Sequence, residues 1–170
     1  MTARSPELDG IPFAMLLGYR DAETARWRAW FERHPEALEV PMGTGRTATV
    51  RGLVIHIFAV ELRYAERLLG RRVTGYEELE PATTDEVFAI GKRARTLIDE
   101  FLGRADDREM REVLEFQTLT AGTVRATKFK IAANLVNHGV RHWAQIATEL
   151  RQHGFTDQWA HDFLLSDIDL

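Results

Sequence analysis

The chain has no cysteine, which removes disulfides, thiolate metal sites and cysteine nucleophiles from its chemistry. Any metal it holds must be bound through nitrogen and oxygen. It also lacks an apolar run approaching the roughly 20 residues that span a bilayer. The longest such stretch, Leu53 to Val60, is broken by His56. A basic block is missing too: 22 Lys and Arg are interspersed with 26 Asp and Glu, for a net charge of -4. Phosphate binding needs concentrated positive charge, so nucleic acid is not an expected partner. The N-terminal MTARSPELDGIPF carries no apolar core of signal-peptide length. Neither an internal repeat nor a low-complexity tract is visible. These absences together lead to the expectation of a soluble, cytoplasmic protein with no membrane partner.

What is there suffices for one core. With 170 residues, 45% of them hydrophobic, the expectation is a single domain over residues 1–170. Apolar residues recur at helical spacing from Ile11 to about Arg33 (Phe13, Leu16, Leu17, Tyr19, Trp27, Trp30, Phe31), where Pro35 closes the segment. A loop containing Pro41, Gly43 and Gly45 follows, with Thr47 or Thr49 available to cap a second helix from Val50 to Leu69, stopped by Gly70. Asp85 and Glu86 suit the start of a third helix over Thr84 to Leu102, although Thr84 and Val87 do not make a full capping box. Residues 111–126 read as an irregular or strand-like excursion with a turn at Ala121-Gly122. The helical pattern returns from Val124 to His153 and stops at Gly154. Trp159 and Phe163 are spaced for one short C-terminal helix. Four long helices without a βαβ rhythm predict an all-α four-helix bundle.

The longest predicted helix contains NHGVRHWAQ, with His138 and His142 four residues apart. At about 100° per residue from His138, the core sector (Leu135, Ile146, Ala132, Leu150, Trp143, Val136, Ala147, Val140) spans about 60° to 200°. His142 falls at about 40°, Gln145 at about -20° and Glu149 at about 20°, so the histidines share a polar row at the edge of the core face. An i, i+4 pair can place two imidazoles on one ion. It can equally be two polar residues at a core boundary. The glutamate of HExxH is absent, as is any ExxH pair of the di-iron kind. His56, in the apolar second helix, is the third candidate: both helices must face one core, where three imidazoles make an open site suited to Zn, Ni or Fe. The competing reading is a hydrogen-bonded polar cluster without metal.

The order of these features (LVIHIFAVELRYAERLLG, then HGVRHWAQIATELRQHG, then a D-F-L-L tail) resembles the DinB/YfiT family of metal-dependent enzymes over nearly the whole chain. The strongest part is HxxxHxxQIxxxLRQxG. The resemblance implies an up-down-down-up four-helix bundle whose divalent metal is bound by His56, His138 and His142. Trp143-Ala144 stands where the family more often carries arginine and glycine. The resemblance also implies homodimerisation and a small-molecule substrate, with low-molecular-weight thiol transfer as one family activity. The alternative it leaves open is a non-catalytic dimeric stress-response or binding module with a structural or vestigial metal site.

Further residues follow as candidates around such a site. Gln145, Glu149 and Glu61 are candidates to orient a ligand imidazole through a hydrogen bond; Gln145 reads equally as a polar surface residue. Glu61, at about 140° from His56 among apolar neighbours, needs a buried partner, for which Arg141 is one possibility. Arg63 and Arg67 form a row on the edge of His56; they are substrate-binding candidates for a carboxylate-bearing ligand, or else solvated or paired with neighbouring acids. His34 reads as a helix-end residue, and His153 and His161 as surface residues. Trp27, Trp30, Phe31, Phe58 and Tyr64 exceed what one helix face needs, which supports the expected homodimer.

Overall fold

The computed structural model of the chain describes residues 13–43, 45–119 and 121–168. The N-terminal segment and the expected helix start at Ile11 lie outside them. Four long helices dominate: α1 (Phe13–Arg33), α2 (Val50–Leu68), α3 (Thr84–Leu102) and α5 (Lys128–Gln152), with a short α4 (Asp107–Arg111) before the last. Each start has a physical signal. Thr49 accepts a hydrogen bond from Gly52 N to cap α2, and Thr127 accepts one from Lys130 N to cap α5. At α3 the cap is Thr83, one residue ahead of the expected position, and Glu86 closes a reciprocal capping box with it. Gly70 and Gly154, at φ of 66° and 91°, end α2 and α5. No helix among the described residues is long and apolar enough to cross a membrane.

The irregular excursion is a β-hairpin. Strands β1 (Val113–Thr118) and β2 (Gly122–Thr127) pair antiparallel, Val113 opposite Thr127 and Thr118 opposite Gly122. This hairpin takes the residues that the periodicity assigned to the start of the last helix, which therefore begins at Lys128. Leu114 and Phe116 alternate onto the protein while Val113, Glu115 and Gln117 face out.

Helix α2 packs against both α3 and α5, and α1 against α5. Close approach of α2 and α3 relies on Gly91, where an added Cβ would come within 2.6 Å of the Phe58 ring. Two apolar clusters result. One holds Trp27, Trp30, Phe31, Phe58, Trp143 and Ile146; the other holds Leu62, Leu68, Ile98, Phe101, Ile131 and Leu135. Trp27, Trp30, Phe31 and Phe58 are fully buried in the chain's own core, so they supply no outward surface for a second copy. Tyr64 is half-buried and packs on the second cluster. Val140, expected in the core sector, is 39% exposed.

Between the levels of the two clusters sits a polar layer. Arg20 of α1 forms a two-pronged pair with Glu61 of α2, both almost fully buried. Gly139 of α5 leaves room for it: an added Cβ would stand 3.2 Å from Glu61 Oε1. Arg20, rather than Arg141, is thus the partner Glu61 required.

The tail departs from the expected closing helix. Among its described residues only Phe163–Leu165 turns, as 3-10 helix. Residues 155–162 form no regular element, and two of their side chains meet one carboxylate of α1. Trp159 donates Nε1–H to Glu23 Oε1 at 2.7 Å, and His161 Nδ1 meets Glu23 Oε2 at 2.8 Å. His161 is therefore no surface residue. Its ring stacks on Trp27, which stacks on Trp143 in turn.

Candidate metal centre

Packing α2 against α5 brings His56 to His138 and His142. One ring nitrogen from each lies within 4.8 Å of the others. The nearest pair is His56 Nε2 and His138 Nε2, 3.2 Å apart. The His138 and His142 centroids are 4.4 Å apart, as expected for neighbours one turn along a helix.

The tautomer of His142 follows from its contacts. Gln145 Oε1 is an acceptor 2.5 Å from Nδ1, so Nδ1 carries the proton. Nε2 then presents its lone pair, and Arg141 Nη2 donates to it at 3.1 Å. Burial, followed by the nearby His142 and Arg141, pushes His56 down to about 4. Burial, followed by the same neighbours and His56, pushes His138 down to about 3. Burial also lowers His142. All three imidazoles are neutral at pH 7, the state that binds metal.

Among the described residues His138 meets His56 through Nε2, and its buried Nδ1 has no partner. An ion held at Nε2 would leave Nδ1 in the same state, so the fit of a metal rests on the donor set. Three neutral nitrogens converging across a helix pair fit a borderline divalent cation. Among the described residues no carboxylate joins them, so such an ion would keep positions open.

The histidines line the end of a cavity of about 880 Å³. Its walls run along α2 through Val60, Tyr64 and Arg67 and are closed by Phe116 and Leu119 of the hairpin region. A second recess of about 690 Å³, lined by Met42, Leu53, Gln145 and Glu149, opens on the other side; His56, Arg141 and His142 border both.

Each candidate from the sequence has a definite place. Gln145 contacts His142. Glu149 instead approaches His153 at 3.5 Å, and Glu61 is engaged by Arg20, so neither touches a histidine of the cluster. Arg63 donates to the Thr74 carbonyl and lies 4.3 Å from the Tyr76 ring centroid. Arg67 donates to the Arg63 carbonyl at 3.2 Å and lies over Phe116 at 4.8 Å. Among the described residues neither forms an ion pair with the neighbouring acids, which leaves the solvated and the substrate-binding readings of the two. Burial, then the charge of Arg63, lowers the pKa of Arg67. His34 pairs with Asp157 at 2.9 Å. Sequence reasoning did not assign Arg141 to His142, and it missed Tyr76 and Phe116 as cavity walls. The i, i+1 proximity of Arg141 was the one available signal for the former.

A mostly helical chain whose three convergent imidazoles border a cavity belongs with helical proteins carrying a candidate three-histidine metal site. The chain belongs to the DinB family, whose model matches residues 15–167. Among curated proteins none matches it.

Proposed function

We propose that this chain is a metal-dependent enzyme in which His56, His138 and His142 hold a zinc, nickel or iron ion, on four long helices in the up-down-down-up bundle order. The observation that carries the reading is the set of three neutral imidazole nitrogens within 4.8 Å of one another, without a carboxylate among the described residues to complete a closed site. A structural ion would want a fourth protein ligand. The open set favours catalysis over the alternative of a purely structural site.

When bound, a divalent ion in such a set supplies Lewis-acid activation of water or a thiol near neutral pH. The chain's residues prepare the place. Gln145 fixes the His142 tautomer through Nδ1 and aims Nε2 at the cluster. The cavity walls at Val60, Tyr64 and Phe116 exclude water from one side of a bound molecule. Arg63 and Arg67 are offered as its binding residues. With no cysteine of its own, the chain would take a thiol only as a cosubstrate, and the reaction we assign is transfer of a low-molecular-weight thiol to an electrophilic carbon. In it the new C–S bond replaces the bond from that carbon to its leaving group, which departs as an anion while the thiol proton passes to solvent.

The test uses untagged protein and elemental analysis. One ion per chain is expected, with loss in His56→Ala and His138→Ala. Full stoichiometry in both variants would overturn the site. Metal-dependent consumption of a thiol with an electrophile tests the reaction separately.

A further inference from the structure

Nothing in the metal chemistry accounts for the far end of the cavity. Positions 56, 60, 63 and 67 form one stripe of α2, and all four line the same space. At about 1.5 Å per residue, Arg63 stands about 10 Å and Arg67 about 16 Å along the axis from His56. Arg67 is held by aromatic rings and a backbone carbonyl, and among the described residues it forms no ion pair. A half-buried guanidinium with donors left over recognises planar anions. Val60, Tyr64, Leu79 and Phe116 make the intervening wall largely apolar. Glu77 and Glu80 also border the cavity; their charge weakens the pull of the arginines on any anion, and on a polyanion such as a nucleotide or polyphosphate more than on a monocarboxylate.

We infer that the cavity is a two-ended site for an elongated monocarboxylate: its carboxylate lies on the Arg63–Arg67 pair, its apolar body along Val60, Tyr64 and Phe116, and its reactive end at the three histidines. The inference rests on the reading of the cavity as the substrate site and adds the ligand's class and length. α2 acts as the ruler, since it supplies both the first histidine and the two arginines. A carboxylic acid too short to span the stripe forgoes one of the two ends.

The carboxylate end is testable without metal. Isothermal titration of EDTA-treated protein with octanoate should show binding, and octanamide, the same length without charge, should bind far more weakly. Arg67→Met should weaken octanoate by roughly tenfold or more, and Arg67→Lys, which keeps the charge and loses the fork, should fall between. Melting curves of the variants verify that they are folded. Equal affinity for octanoate and octanamide, or an unchanged affinity in folded Arg67→Met, would overturn the inference. The ruler is tested on zinc-loaded protein with thiols that can use both ends: ω-mercaptooctanoate should bind more tightly than mercaptoacetate, and equal affinities would overturn the length assignment. Octanoate binding that depends on Arg67 in a protein taking up no zinc would refute the metal reading while leaving the carboxylate end standing.

Discussion

Arg141 Nη2 lies 3.1 Å from His142 Nε2, the one nitrogen of that ring free to bind a metal once Gln145 has taken the other. A guanidinium and an ion compete for the same lone pair, and the positive charge of Arg141 also repels a divalent cation. Arg141→Met should therefore bind zinc more tightly than the parent, by roughly tenfold if one charge-assisted hydrogen bond is released. Competition with a chromophoric chelator measures it; an affinity equal to or below the parent's would show that Arg141 does not guard the site.

Gln145 acts on the same ring from the other side. Gln145→Ala frees the imidazole to rotate and change tautomer, and zinc affinity should drop by about 10- to 100-fold with little change in melting temperature. A pure loss of fold stability at unchanged affinity would assign Gln145 to structure alone.

The depressed histidines give the metal-free protein an acid-sensitive fold. Both His56 and His138 titrate below the ordinary value of 6.5, so on acidification the unfolded chain takes up protons first and stability falls. The loss begins below 6.5 and continues to about 4 for His56 and about 3 for His138. Urea midpoints at about pH 7.5 and about pH 5 should differ more for the EDTA-treated parent than for a His56→Gln, His138→Gln double variant. Identical differences would show that these rings do not control the dependence.

In the polar layer, Arg20→Met should destabilise by about 3–5 kcal/mol, because it leaves Glu61 buried without its counter-charge. Burial pushes the Glu61 carboxyl up and Arg20 opposes it. The variant's deficit should accordingly shrink toward acid pH, where the carboxyl is protonated. Adding Glu61→Leu should recover much of the loss. Denaturant titrations across pH measure all three, and a deficit independent of pH would exclude the unpaired charge as its cause.

Gly91→Ala pushes a methyl group into the Phe58 ring. Overpacking of this kind costs about 1–3 kcal/mol, readable as a lower urea midpoint. Trimming the ring in Gly91→Ala, Phe58→Leu should return part of it.

Helices α2, α3 and α5 were legible because each buries a wide apolar stripe, and a 3.6-residue period survives single interruptions such as His56; α1 was legible from its large apolar residues although Arg20 and Glu23 share its buried face. The hairpin was legible only as irregular sequence, since Leu114 and Phe116 are too few to set a two-residue period against the polar Glu115 and Gln117. The bounds of α3 are those expected, with Thr83 rather than Thr84 as the cap that Glu86 closes, and the start of α5 moved because β2 claims Val124 to Thr127. At the site, the directions of His138, His142 and Gln145 followed from helix geometry. Their neighbours across the fold did not. Glu61 finds Arg20, 41 positions away, and His161 finds Glu23, 138 positions away; helix angles fix which way a side chain leaves its own axis and carry no information about which axis it meets. The apolar excess on α1 was real, but the tail and α5 consume it by stacking on Trp27.

The cavity draws its two kinds of wall from parts of the chain with different obligations. The histidines and arginines sit on α2 and α5, whose opposite faces hold both apolar clusters, so those helices tolerate little change. Phe116, Gln117, Thr118 and Leu119 sit on or beside a two-stranded ribbon that rests on the surface. Its outer residues have few packing duties. A lineage can therefore alter which molecules are admitted by rewriting the ribbon while the residues proposed to do the chemistry stay in place, and the same separation lets an engineer vary selectivity without first rebuilding the core.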